Sequence, residues 1–114
     1  SGIYAQMYNA DSTTQGSEFQ VNTYTTNSQS QPSITALTEG GFVVTWSSDG
    51  QDSSGYGVFA QMYNADGTVN GVEFQVNTYT NSTQNGGSIT SLTDGGFVVT
   101  WQSYGQDGQG YGIY

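Results

Sequence analysis

The sequence predicts an all-β protein built from two tandem, four-stranded antiparallel units, and three observations carry that expectation. Residues 2–59 align with residues 57–114 without a gap and agree at 38 of 58 positions, so one 55-residue unit is present twice. A fixed period of this length marks a repeat architecture, in which copies bury their faces on one another. Apolar residues gather in short runs rich in Val, Ile, Phe, Tyr and Trp, the types that suit a pleated, half-buried surface. Glycine-bearing turns separate those runs.

Each element follows in order. Residues 88–93 form a β-prone run, and Thr93-Asp94-Gly95-Gly96 supplies a tight turn. Residues 97–102 are the next strand, giving a hairpin, and residues 103–110 form a polar glycine loop. In the first copy a third strand spans 56–64, ended by Asn64-Ala65-Asp66-Gly67. A fourth spans 73–79, and residues 81–87 make a longer loop back to the start. Four strands and four turns fill the period.

The faces of these strands say how the units pack. Phe42, Val44 and Trp46 point one way and Val43 and Thr45 the other, so this strand is nonpolar or nearly so on both sides. Val58, Ala60 and Met62 oppose Phe59, Gln61 and Tyr63, and the fourth run sets Phe74, Val76 and Thr78 against Glu73, Gln75, Asn77 and Tyr79. Two-sided burial that fades to one-sided polarity describes a sheet sandwiched between like sheets, with its last strand at the rim. The unit resembles a β-propeller blade, in which four antiparallel strands run from axis to solvent. A β-solenoid or fibre-forming β repeat is the alternative, and the hairpin turns argue against parallel rungs. A two-sheet sandwich ranks third.

Two such units do not close a ring, since propellers have about four to eight blades. The expected organisation is a single repeat domain, 1–114, with repeat 1 at 2–56, repeat 2 at 57–111 and the start of another at 112–114. The chain opens and closes at one phase, Gly2-Ile3-Tyr4 matching Gly112-Ile113-Tyr114, and so carries the end of one unit, a whole unit and the beginning of a third. Ile3, Tyr4, Ile113 and Tyr114 are therefore the candidate assembly edges, because an unpaired strand is a template for another copy. Pairing that closes gives six blades from three chains or eight from four. Pairing that does not close gives a fibre.

Composition excludes whole classes of function. The chain has no Lys, Arg, His or Cys, nine acids and a net charge of −9. Nothing in it neutralises phosphates, so nucleic acid and anionic membranes repel it. No apolar run approaches the length of a membrane span. Histidine- or cysteine-based nucleophiles, thiol redox chemistry and the usual zinc ligands are missing, and no catalytic signature is present, so an enzyme is not expected. Carboxylates, amides, hydroxyls and phenols remain, which coordinate hard cations or bind sugars.

Candidate sites follow from that inventory. Asp49, Asp52 and Asp107 lie in glycine loops whose oxygens could wrap Ca²⁺, although the spacing departs from the usual calcium loop and the plainer reading is solvated turn chemistry. Tyr56, Tyr104 and Tyr111 are candidate glycan-stacking residues. Trp46 and Trp101 read as packing between sheets. Glu18 and Glu73 are repeat-related, and such a pair rarely gives the two different environments that acid–base catalysis needs.

The strings G-G-F-V-V-T-W, G-Y-G-[IV]-[YF] with A-Q-M-Y-N-A-D, and E-F-Q-V-N-T resemble the acidic tandem repeats of very large secreted or cell-surface bacterial proteins, over the whole chain. The chain departs from them in lacking the Arg that sometimes follows Ala-Gln. The resemblance implies an extracellular or cell-surface location and an adhesive or structural role, with Ca²⁺ as the one cofactor to consider; copies of itself are the partners that the unpaired edges predict. A carbohydrate- or Ca²⁺-binding, lectin-like module is the alternative.

Overall fold

Strand after strand joined by short turns makes up the chain, and a computed structural model describes all 114 residues. The order is β1 (Tyr4–Tyr8), β2 (Thr14–Gln20), β3 (Gln29–Ala36), β4 (Phe42–Asp49), β5 (Tyr56–Tyr63), β6 (Val69–Gln75), β7 (Gln84–Ser91), β8 (Phe97–Tyr104) and β9 (Tyr111–Ile113). They form three antiparallel sheets: β1-β2, β3-β4-β5-β6 and β7-β8-β9. No helix is present and no sheet closes on itself.

The predicted turns form as glycine chemistry dictates. Gly40 and Gly95 take φ of 104° and 94°, and each donates its N–H to the carbonyl of Leu37 or Leu92. The middle sheet keeps a regular β4–β5 ladder from Phe42 opposite Tyr63 to Asp49 opposite Tyr56. Opposed residues share a face, so Phe42, Val44, Trp46, Phe59 and Tyr63 look toward β1-β2 while Val43, Thr45, Val58 and Ala60 look toward β7-β8-β9.

The core lies between the first two sheets. Ile3 and Val21 pack with Val44, Trp46, Phe59 and Tyr63, with Ala5, Phe19 and Phe42 around them. Tyr63 stacks on Phe42 at 4.9 Å and tilts against Phe19 at 5.4 Å. On the opposite face Gly87 lets β7 approach closely: a Cβ there would stand 3.1 Å from Val58. The middle sheet is thus covered on both sides, as its two-sided apolar strands require.

Three boundaries differ from the sequence expectation. The smallest difference is at β8, which runs on to Tyr104 where the sequence predicts the loop from 103, because Ser103 and Tyr104 pair with β9. The fourth strand of the unit runs over Val69–Gln75 rather than 73–79, because Gly71, at φ 80°, accommodates a bulge and lets the ladder begin directly after the turn. It ends early because the Asn77 side chain takes over the Val58 N–H. The expected loop at 81–87 is in part strand, since Gly86, at φ 69°, absorbs a second bulge between Asn85 and Ser88.

Candidate functional site

The most distinctive feature of the surface is a pair of incomplete sheets. The four-stranded β3-β4-β5-β6 sheet shows the whole unit. By the 55-residue equivalence, β1-β2 supplies only its last two positions, and β7-β8-β9 only its first three. In the third sheet, β9 pairs with Gln102–Tyr104, and Trp101 and Tyr114 exchange two backbone hydrogen bonds of 2.8 and 2.9 Å. Phe97–Thr100, which correspond to residues paired with β5 in the middle sheet, face an open edge.

Burial follows the same division. Phe59 and Tyr63 are 5% and 2% exposed, whereas their equivalents Tyr4 and Tyr8 are 58% and 62% exposed. At the other end Val98 is 44% and Ile113 74% exposed, against 0% for Val43 and Val58. Side chains suited to a packed interface stand in solvent at both ends, so two apolar faces are unpartnered. A groove lined by Ala5, Met7, Tyr8, Phe19, Ile34 and Phe42 runs beside the free edge of β1.

Of the four candidate edge residues, Ile3 is already used. Its side chain is in the core, its N–H donates to Asn22 Oδ1 at 2.7 Å, and its carbonyl accepts from Val21 N–H at 2.8 Å. Tyr4 and Ile113 are exposed and Tyr114 is half-buried.

A carboxylate ties neighbouring sheets together. Glu73, on β6, accepts from the Thr23 N–H at 2.8 Å and the Thr23 hydroxyl at 2.7 Å through Oε2, and from Gln51 Nε2 at 2.7 Å through Oε1. Thr23 follows the outer strand of the preceding sheet, so this contact spans two sheets, and ionised acceptors make the stronger class of hydrogen bond. The repeated E-F-Q-V-N-T string places a Thr five residues after each Glu, but only the fold shows that the Glu of one unit meets the Thr of the unit before.

The predicted ligand residues are dispersed. Asp52 accepts from Ser54 N–H at 3.1 Å and from Gln75 Nε2 at 2.7 Å, so both its oxygens are engaged within the protein. Asp107 accepts from Gln109 N–H at 3.1 Å in the corresponding loop of the second repeat. Asp49 ends β4, directly opposite Tyr56. No group of three or more acidic side chains gathers in a way that could hold a metal ion. Tyr104 and Tyr111 come together edge to face at 5.1 Å, both exposed, and Tyr56 is half-buried at the start of β5.

Four titratable groups report their surroundings, Asp11, Asp66, Tyr63 and Tyr114. Hydrogen bonds from the Thr13 hydroxyl and N–H hold the Asp11 carboxyl below its usual value, and Thr68 does the same for Asp66. Burial, helped by the Glu73 carboxylate, pushes the Tyr63 phenol up. Comparison with protein-family models, curated proteins and solved structures finds no match for the chain.

Proposed function

We propose that this chain is an extracellular structural or adhesive repeat protein that assembles with copies of itself, the β1-β2 hairpin of one chain completing the sheet begun by β7-β8 of another, in the manner of propeller blades. The observation that carries this reading is the complementarity of the two incomplete sheets: β1-β2 lacks the first two positions of the unit, which β7-β8 presents, and β7-β8-β9 lacks the fourth, which β2 presents. Shifting the β4–β5 ladder by one repeat gives the register, with Phe97 opposite Tyr8 and Trp101 opposite Tyr4 of the second copy. Main-chain hydrogen bonds along such an edge supply affinity, and the alternating side chains supply specificity. The incoming Ser1–Tyr4 takes the places held by Tyr111–Tyr114, which must leave.

Repetition of one heterologous contact gives a ring or a filament, depending on whether the rotation closes. A surface of charge −9 keeps the repeating particles apart except where the faces match. The extracellular placement rests on the resemblance to acidic bacterial surface repeats. Size-exclusion chromatography with light scattering over a wide concentration range, followed by electron microscopy, tests the reading. Discrete trimers or tetramers, or long fibres, support it; a chain that stays monomeric at every concentration refutes it.

One observation favours a second reading, a glycan-binding module: the exposed Tyr104–Tyr111 pair offers two aromatic faces for stacking on a sugar. Assembly would replace Tyr111 by Ser1 of the incoming chain, so the pair belongs to the unassembled state, and glycan-array binding lost on Tyr104→Ala would support it.

A further inference from the structure

We infer that Glu18 of one chain closes onto Thr78 and Gln106 of a second copy, and that this contact sets the register in which the copies join. The inference rests on the assembly reading above and names the residues that make it specific. Its template lies inside the chain. Glu73 on β6 grips the Thr23 N–H and hydroxyl of the preceding sheet and the Gln51 amide of its own, with all three distances between 2.7 and 2.8 Å.

One repeat away, the same three roles fall to Glu18, Thr78 and Gln106, but on opposite ends of the molecule. Glu18 is exposed on β2, the outer strand of the two-stranded sheet. Thr78 follows β6 and is exposed, as Thr23 is. Gln106 sits in the loop after β8, with its Oε1 buried and unpartnered, the same state as Oε1 of Gln51. Within residues 1–114 no glutamate meets Thr78 and Gln106, and no threonine meets Glu18.

When β1-β2 of a second copy completes the β7-β8 sheet, its Glu18 takes the place that Glu73 occupies in the middle sheet. Its carboxylate then accepts from the Thr78 N–H and hydroxyl and from Gln106 Nε2. A slip of one residue along the β1–β8 edge turns Glu18 to the other face of its strand, away from both donors. Apolar side chains along the edge tolerate displacement better than three directed hydrogen bonds to one carboxylate do. The chain lacks Lys and Arg, so amide and hydroxyl donors are the means by which it can hold a carboxylate at an interface.

The test is a double-mutant cycle on association, using Glu18→Ala, Thr78→Val and the combination, with sedimentation equilibrium as the readout. Both residues are exposed in the isolated chain, so melting of dilute protein stays unchanged. Each single substitution is expected to weaken association about tenfold or more, and the double substitution to weaken it no further than the stronger single one, the signature of a direct pair. Wild-type association that Glu18→Ala leaves unchanged, or losses that simply add, would overturn the contact while leaving the assembly reading intact. A wild-type chain that never associates would overturn both.

Discussion

Asn77 and Gln84 meet side chain to side chain beneath the surface, Asn77 Nδ2 donating to Gln84 Oε1 at 3.2 Å, and Asn22 and Gln29 repeat the contact at 3.3 Å one unit earlier. All four residues are buried. Asn77 also accepts the Val58 N–H at 2.8 Å and donates to the Tyr79 carbonyl at 2.8 Å, while Gln84 donates to the Asn81 carbonyl at 2.7 Å. The amide pair stands where the ladder of the outer strand ends. It fixes the segment that carries the chain from the outer strand of one sheet to the inner strand of the next.

Replacing Asn77 by Leu therefore leaves the Val58 N–H, the Tyr79 carbonyl and one end of Gln84 without partners in the interior. Each unsatisfied buried group costs about 1–3 kcal/mol, so the expected loss is about 3–5 kcal/mol, enough to unfold a marginal domain. Urea denaturation of the dilute chain measures it. A loss below about 1 kcal/mol would show that the network is dispensable.

Gly41 and Gly96 are sequence equivalents with different surroundings. A Cβ on Gly41 would collide with the Tyr63 carbonyl oxygen, a backbone atom that cannot turn aside. On Gly96 it would meet only Asp94 Oδ1 at 3.2 Å and Leu92 Cδ1 at 3.7 Å. Gly41→Ala is expected to cost about 2–3 kcal/mol by overpacking, and Gly96→Ala less than about 0.5 kcal/mol in the dilute chain. In an assembled edge, however, the carbonyl of Tyr8 from a second copy would stand where Tyr63 stands for Gly41. Gly96→Ala should then abolish association while leaving the melting curve in place. Light scattering on a folded Gly96→Ala chain that still assembles would contradict strand completion.

Much of this arrangement was legible because it depends on local chemistry repeated twice. The Gly40 and Gly95 turns, the opposed faces of residues 42–46 and the division into partial, whole and partial units all follow from periodicity and turn residues. The amide network was not legible. Asn77 reads as one more polar residue on an outward face, and only the tertiary path shows that it replaces a ladder partner for Val58. Phe74 misled in the opposite sense: its equivalent Phe19 is half-buried against Tyr63, but Phe74 faces the third sheet, where no counterpart of Tyr63 is present, and it is 38% exposed. Burial at repeat ends depends on what the next unit supplies, which no local pattern records.

Ser12 and Ser53 take left-handed φ values of 72° and 71°, while their equivalents in the other repeat are Gly67 and Gly108, at 86° and 82°. A non-glycine residue pays about 1–2 kcal/mol for that conformation, and glycine returns part of this through its freer unfolded chain. Ser12→Gly and Ser53→Gly are each expected to stabilise the protein by about 0.5 kcal/mol, and together to raise its melting temperature by a few degrees. Calorimetry on the single and double variants decides it, and a lower melting temperature for both would mean that the serine side chains outweigh the strain.

Tyr63 gives the chain an alkaline sensitivity whose sign is fixed by its burial. Packed between Phe42 and Phe19 with 2% of its surface exposed, its phenol resists ionising, first because burial disfavours the charged form and then because the Glu73 carboxylate is near. The folded state therefore holds this proton more tightly than the unfolded state, whose tyrosines titrate near 10.0. Its contribution is fully present below pH 10 and falls away as pH rises through the higher folded value. Tyr63→Phe keeps the ring and removes the titrating group, so stability at pH 7 should change by less than about 1 kcal/mol. Between about pH 10 and 12 the wild-type chain should lose stability faster than the variant. Urea midpoints at pH 8 and pH 11 measure the difference, and equal losses in the two proteins would place the alkaline transition on another group, with Tyr114, also raised by burial and by Asp107, the next to substitute.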